Sequence, residues 1–276
     1  MKDKLDKNTF IKKLFGDYMQ LTGTPSLSFG NDAHLPYYGK KIGVVNGSNW
    51  VSLWSTYFGQ KALPGAKIIN VGNEAVQLNF MEAHHRGESV PPQINIDLFC
   101  RYAQELYDLY KVDAVLISCS TMNRAFNDVK RHMAPMGVPV IQIDEAMMEK
   151  AVAMDGKILV IATHGPTVKS TQELLLETAN RFGKSVSFVG ATVENAFELL
   201  GAGKITEHNE AIANAIYEAQ RKEKIDVVVL AQLSMSVFSF DHPYPEKSLG
   251  VKVLNSGETG FRRVAKLMRS SITDLI

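Results

Sequence analysis

Apolar residues in this chain fall into short unbroken runs, separated by stretches in which they recur every three or four positions. The runs lie near 41–46, 66–71, 113–118 and 138–143, and again near 157–162, 185–190, 226–231 and 250–254. Short runs rich in Val and Ile read as strands buried on both faces. Helical periodicity fills the gaps, most clearly over Asp97 to Tyr110, Met122 to Met133, Thr167 to Phe182 and His208 to Arg221. Strands alternating with helices predict an α/β fold of parallel sheets with helices on both faces.

The pattern is written twice. DAVLISCSTMN at 113–123 matches DVVVLAQLSMS at 226–236, KIGVV at 41–45 matches KILVI at 157–161, and GVPVI at 137–141 matches GVKVL at 250–254. The offsets are 113, 116 and 113 residues. Buried strands resemble one another by composition alone, but composition does not preserve order and spacing together. The period suits a small domain and is too long for a solenoid. The chain therefore divides into a first α/β domain at 40–150, a second at 151–255 and a terminal helix at 256–276. Ile11, Leu14, Phe15 and Tyr18 predict an amphipathic helix over 9–20, followed by a Gly/Pro/Ser-rich loop from Thr22 to Gly39. Residues 1–39 thus stand outside the repeat.

Composition narrows the function. Of 276 residues, 45% are hydrophobic and 21% charged, with 30 basic against 29 acidic side chains. That balance, with no basic run, gives no sign of a nucleic-acid partner. No apolar run is long enough to span a membrane and no leader-like segment opens the chain, so a cytoplasmic protein is expected. Two cysteines are too few for a disulfide framework.

In open parallel sheets, ligands sit beyond the carboxyl ends of the strands. The first set of strands ends in Asn46-Gly47-Ser48-Asn49, Gly72-Asn73-Glu74, Cys119-Ser120-Thr121 and Asp144-Glu145. The second set ends in Thr163-His164-Gly165-Pro166-Thr167, Gly190-Ala191-Thr192, Gln232-Leu233-Ser234 and Asn255-Ser256-Gly257-Glu258. Such turns bind carboxylate or phosphate through backbone N–H groups, or simply cap helices. Cys119 stands at a strand tip where a helix is expected to begin. A helix N-terminus favours the thiolate, and a thiolate there can take a proton from carbon or attack an electrophile. Cys100, inside a helical pattern, reads as core.

Together these residues resemble the aspartate/glutamate/hydantoin racemase superfamily over about residues 40–270. Cys119-Ser120-Thr121 resembles its Cys-Asn-Thr motif. Asn46-Gly47-Ser48-Asn49 resembles the loop after its first strand, Ala162-Thr163-His164-Gly165-Pro166-Thr167 its Thr-bearing loop, and Leu254-Asn255-Ser256-Gly257-Glu258-Thr259 its late strand end. The resemblance implies two pseudo-symmetric, flavodoxin-like α/β domains with the active site in the cleft between them. It also implies a last helix packed back on the first domain, no cofactor, and frequently a homo-oligomer. Its racemases act in amino-acid metabolism. One cysteine from each half moves the proton alpha to a carboxylate, while amides and hydroxyls hold the substrate. On that basis Cys119 matches the first cysteine, and Ser120 and Thr121 match carboxylate binders. Asn46, Ser48, Asn49, Asn73, Glu145, Thr163, Thr167 and Ser234 become further candidates for holding a small carboxylate substrate.

The second cysteine position reads Gln232, and an amide is no general base. Three readings follow. One is an isomerase with Cys119 as acid/base and a substitute second group, for which His164, Glu145 and Glu258 are candidates. Another is a single-cysteine lyase of the same superfamily, decarboxylase-like, with its thiol in the opposite half. The third is a non-catalytic carboxylate binder. No metal is expected: His84-His85 fits no zinc spacing and reads as an exposed helix end. Met133, Met136, Met147 and Met148 read as packing. Phe238, Phe240 and Tyr244 are candidates for an apolar cleft wall.

Overall fold

The computed structural model describes residues 7–22 and 32–273. Part of the loop expected over Thr22 to Gly39, and the last three residues of the expected terminal helix, lie outside them. Two four-stranded parallel sheets form the core. The first has the order β2-β1-β3-β4, with β1 at Lys41–Asn46, β2 at Lys67–Gly72, β3 at Ala114–Ile117 and β4 at Val140–Gln142. The second repeats it as β6-β5-β7-β8, with β5 at Lys157–Ala162, β6 at Ser187–Thr192, β7 at Val227–Leu230 and β8 at Lys252–Asn255. All eight expected strands are present, and all but β1 and β5 begin one or two residues later than the apolar runs suggested.

The repeat extends to the bonds that start the strands. The Asp113 carboxylate accepts the Lys41 N–H at 2.7 Å, and the Asp226 carboxylate accepts the Lys157 N–H at 2.8 Å. Each aspartate satisfies a donor just ahead of the central ladder of its sheet. The aspartate opening both copies of the repeat is therefore a strand-starting device.

Both central strands of each sheet are buried apart from the opening Lys41 and Lys157, as parallel strands between helical layers must be. The last helix of each copy crosses to the other sheet. Helix Glu145–Ala153 buries Met147, Met148, Ala151 and Val152 with Ile158, Val160, Val227 and Val229 of the second sheet. Helix Ser256–Thr273 buries Phe261, Val264, Ala265 and Met268 with Ile42, Val44 and Leu116 of the first sheet. This exchange interlocks the halves with apolar surface. Ion pairs add at the rim: Arg124 reaches Glu173 and Glu177 at 2.6 and 2.5 Å, and Arg181 reaches Glu145 at 2.7 Å.

Helix Lys7–Thr22 leaves Phe10, Ile11, Leu14 and Phe15 exposed. Among the described residues no helix is long and apolar enough to cross a membrane.

Candidate active site

In each sheet the chain runs outward in opposite directions from β1 and β5, so the crevice opens between β1 and β3 and between β5 and β7. The loops after those four strands face one another. They carry Gly47 and Ser48, Cys119 to Thr121, Thr163, and Gln232 to Ser234.

A cavity of about 50 Å³ lies between them. Cys119, Ser120, Thr121 and Ser48 line it from the first half, and Gln232 and Ser234 from the second. Trp50 and Gln77 of the first half and Phe197 of the second complete the wall. Cys119 is the only titratable side chain lining the cavity; the rest are neutral hydrogen-bonding groups and apolar side chains, Val51 and Leu233 among them.

Cys119 precedes a 3₁₀ segment, Ser120–Ala125, that runs into helix Phe126–Met133. Its sulfur lies 3.0 Å from the Thr121 hydroxyl and faces the backbone N–H groups of Met122, Thr121 and Gly47. These groups favour the thiolate, yet burial outweighs them and pushes the thiol pKa up. The expectation of a thiol acidified by a helix N-terminus is therefore corrected. The helical segment begins as 3₁₀ turns, and the cost of burying the charge is the larger effect.

Gln232 answers Cys119 from the second half. Its Oε1 accepts the Thr163 N–H at 2.7 Å and the Thr163 hydroxyl at 2.9 Å. A backbone N–H can only donate, so the amide orientation is fixed and Nε2 is left as a donor. Gln77 Oε1 accepts from the Ser48 hydroxyl at 2.5 Å. Two side-chain amides, one from each half, thus line the cavity with their oxygens already engaged.

Other expected residues lie elsewhere. Asn46 is fully buried beneath the site, donating to Asn70 at 3.0 Å and accepting from Ser55 at 3.0 Å and from Ser118. Asn49 is exposed and donates to Glu74 through its backbone and side chain, and Asn73 caps helix Glu74–His85 by accepting the Ala75 N–H at 2.9 Å. The three proposed substitutes for the second cysteine all miss the cavity. His164 packs its ring 4.8 Å from that of Phe197, and its pKa is lowered by burial, with Glu194 opposing. Glu145 pairs with Arg181, and Glu258 with Arg262 at 3.6 Å. Thr163 reaches the site only through Gln232. Thr167 is buried beside a neighbouring cavity of about 240 Å³ that shares Thr121. Phe238 is core, Phe240 packs on Trp54 and Tyr57, and Tyr244 is exposed, so none forms the cleft wall.

One group was visible in the sequence only as part of a strand end, with no role attached. Asp144 is fully buried and accepts from the Ser120 hydroxyl at 3.1 Å. Burial raises its pKa to about 7 against the pull of that hydrogen bond. No cluster of three or more potential metal ligands occurs among the described residues.

The fold matches what comparison with known proteins returns. The chain belongs to the Asp/Glu/hydantoin racemase family, whose model matches residues 82–264. Solved structures share the fold at low identity. A glutamate racemase from Francisella tularensis in complex with D-glutamate is 16% identical, with a TM-score of 0.61 over 84% of this chain and 82% of that one. An aspartate racemase homologue from Pyrococcus horikoshii is 19% identical, at 0.58 over 83% and 99%. The allantoin racemase from Klebsiella pneumoniae is 16% identical, at 0.55 over 85% and 88%. No curated protein matches the sequence significantly. Family membership supports an enzyme of the cofactor-independent, racemase type.

Proposed function

We propose that this protein is an isomerase that moves the proton on the carbon alpha to a carboxylate, with Cys119 as its single acid/base group and Gln232 as a substrate-holding group. The observation that carries this reading is the composition of the cavity: one thiol, surrounded by neutral donors from both halves. The Cys119 thiolate takes the alpha proton and becomes S–H. The electron pair left on carbon spreads into the carboxylate, whose oxygens gain charge. In this reading Nε2 of Gln232, the Gln77 amide and the Ser234 hydroxyl hold those oxygens, and donors fixed in advance stabilise developing charge without reorganising. The sulfur then returns the proton to the face it came from. A proton reaching the other face comes from water held at Gln232 and Ser234, because an amide N–H is not an acid near neutral pH; the hydroxide left behind takes the proton from the Cys119 S–H and restores the thiolate.

A second reading, a single-cysteine lyase, is favoured by the raised thiol pKa. A thiol that stays protonated is suited to quenching a carbanion after carbon dioxide leaves. The test is incubation in deuterated water with a panel of alpha-substituted carboxylates and the corresponding malonates. Deuterium gained at the alpha carbon without loss of carbon dioxide supports the isomerase. Decarboxylation with one deuterium delivered supports the lyase. Neither event on any compound leaves only a binding role.

A further inference from the structure

A second chamber adjoins the Cys119 cavity. Trp50, Trp54, Phe197, Leu200 and Ile205 line it, and its volume is about 290 Å³. Trp50 and Phe197 line both spaces, so the two share a wall built from both halves. These two rings come from opposite halves and meet edge to face at 6.4 Å. No side chain lining the chamber is charged, and its polar atoms are confined to indoles and backbone.

We infer that this chamber receives an apolar side chain of the substrate while the substrate's carboxylate occupies the Cys119 cavity. The assignment rests on the reading of that cavity as the substrate site and names the substrate class. The argument is one of volume and charge. A space of about 50 Å³ holds a carboxylate and little more, so the rest of any substrate must leave it. Two larger spaces adjoin it: the cavity beside Thr167, which shares only Thr121 and whose Arg124 is already paired with Glu173 and Glu177, and the chamber, which shares two side chains and lies at the small end of the ~300–1,000 Å³ range of small-molecule sites. A second carboxylate there would give up its water and find neither a cation nor a polar side chain to replace it, except an indole N–H. A phenyl or branched alkyl group would instead remove its own surface and that of Trp50 from water, Trp50 being 39% exposed. Aromatic rings also gain from edge-to-face contact with Trp50 and Phe197. The favoured substrate is thus an alpha-substituted carboxylate with an aryl or branched alkyl side chain, in preference to one bearing a second acid.

Intrinsic fluorescence tests this without turnover, because the two tryptophans of the chain are the two that line the chamber. The Cys119→Ser protein is titrated with 3-phenylpropionate, 4-methylpentanoate and glutarate. The first two are expected to change the emission saturably, with at least tenfold tighter binding than glutarate. Leu200→Glu, or Ile205→Gln at the rim should the former fold poorly, is expected to weaken the apolar probes at least tenfold. Equal or tighter binding of glutarate, or no response to either apolar probe, overturns the inference. So does sedimentation showing that Leu200→Glu separates an oligomer while the probes stay silent, for then a second copy covers the chamber. The proton-transfer reading is scored separately, by deuterium exchange into phenylalanine and glutamate. Exchange into glutamate with no apolar binding sinks the chamber and spares the chemistry. Apolar binding with no exchange into any substrate does the reverse.

Discussion

The backbone of Gly47 closes on the sulfur of Cys119 so tightly that a Cβ at position 47 would stand 2.5 Å from it. The φ angle of Gly47 is not in the left-handed region, so space alone explains the glycine. The matching position in the second half is Thr163, whose N–H meets Gln232 as that of Gly47 meets Cys119. A side chain is present on the wall that faces an amide and missing on the wall that faces a thiol. Gly47→Ala should therefore push the sulfur out of place while barely changing the melting temperature. Misplacement of about 1 Å costs on the order of 10²-fold in rate, which deuterium-exchange kinetics will show. A Gly47→Ala enzyme within twofold of the parent would remove the sulfur from the chemistry.

The same pairing predicts how a second thiol has to be installed. By the symmetry of the two halves, a sulfur at 232 would press on the Cβ of Thr163. Gln232→Cys alone should then be crowded, and should also leave the Thr163 N–H without its acceptor, a loss of ~1–3 kcal/mol for a buried donor. The double variant Gln232→Cys with Thr163→Gly reproduces the first-half arrangement and is expected to interconvert enantiomers of a substrate that the parent exchanges on one face. Chiral chromatography of the products decides. If the single variant racemises as well as the double, the steric argument is wrong.

Cys119 carries a pH signature whose sign separates the two chemistries. Its thiol titrates above the ordinary range because burial opposes the charge, and that range lies near ~8.5. Proton abstraction needs the thiolate, so kcat/KM for exchange should climb about tenfold per pH unit from 6 to 8 without a plateau. A lyase that donates from the thiol should run flat over that interval and decline only at higher pH. Cys119→Ala should lower either rate by ~10²–10⁴-fold, the usual weight of one acid/base group. A bell centred near pH 7 that persists in Cys119→Ala would assign the titration to another residue.

The strands were legible because buried parallel strands read as unbroken Val and Ile, and the duplication because Asp113 and Asp226 recur for a physical reason. Helices were legible only where one face stays wet. Helix Glu145–Ala153 buries Met147, Met148, Ala151 and Val152 between two layers, and helix Ser52–Ala62 turns Ser55, Thr56 and Gly59 inward, so neither shows a clean apolar stripe. At the site, strand-end position identifies Ser48, Cys119, Ser120, Thr121, Gln232 and Ser234 as residues of the crevice. It does not say where a side chain points. Asn46 turns down into a knot with Asn70, Ser55 and Ser118, and Asn73 turns back to cap its own helix. Gln77 and Phe197 reach the cavity from helices Glu74–His85 and Glu194–Gly201, and no local pattern marks them.

Asp144 makes a prediction about stability. Its carboxyl is held neutral by burial up to about pH 7, against an ordinary value of 3.8. Below pH 4 folded and unfolded chains both keep this proton. Between about 4 and 7 the unfolded chain releases it and the folded chain does not, so folding loses stability as pH rises through that window. Above 7 both forms are ionised and the penalty is constant, on the order of a few kcal/mol at ~1.36 kcal/mol per unit. Asp144→Asn keeps an acceptor for the Ser120 hydroxyl and removes the titration. The melting temperature of the variant should therefore depend less on pH between 5 and 7, and should exceed the parent's at pH 8. Because Ser120 adjoins Cys119, the variant also asks whether the carboxylate matters to the chemistry. A changed KM with unchanged kcat would make Asp144 a residue that positions the Ser120 side of the cavity. If the pH slope of the melting temperature is the same in both proteins, the carboxyl is ionised in the fold, and the buried neutral acid described here is wrong.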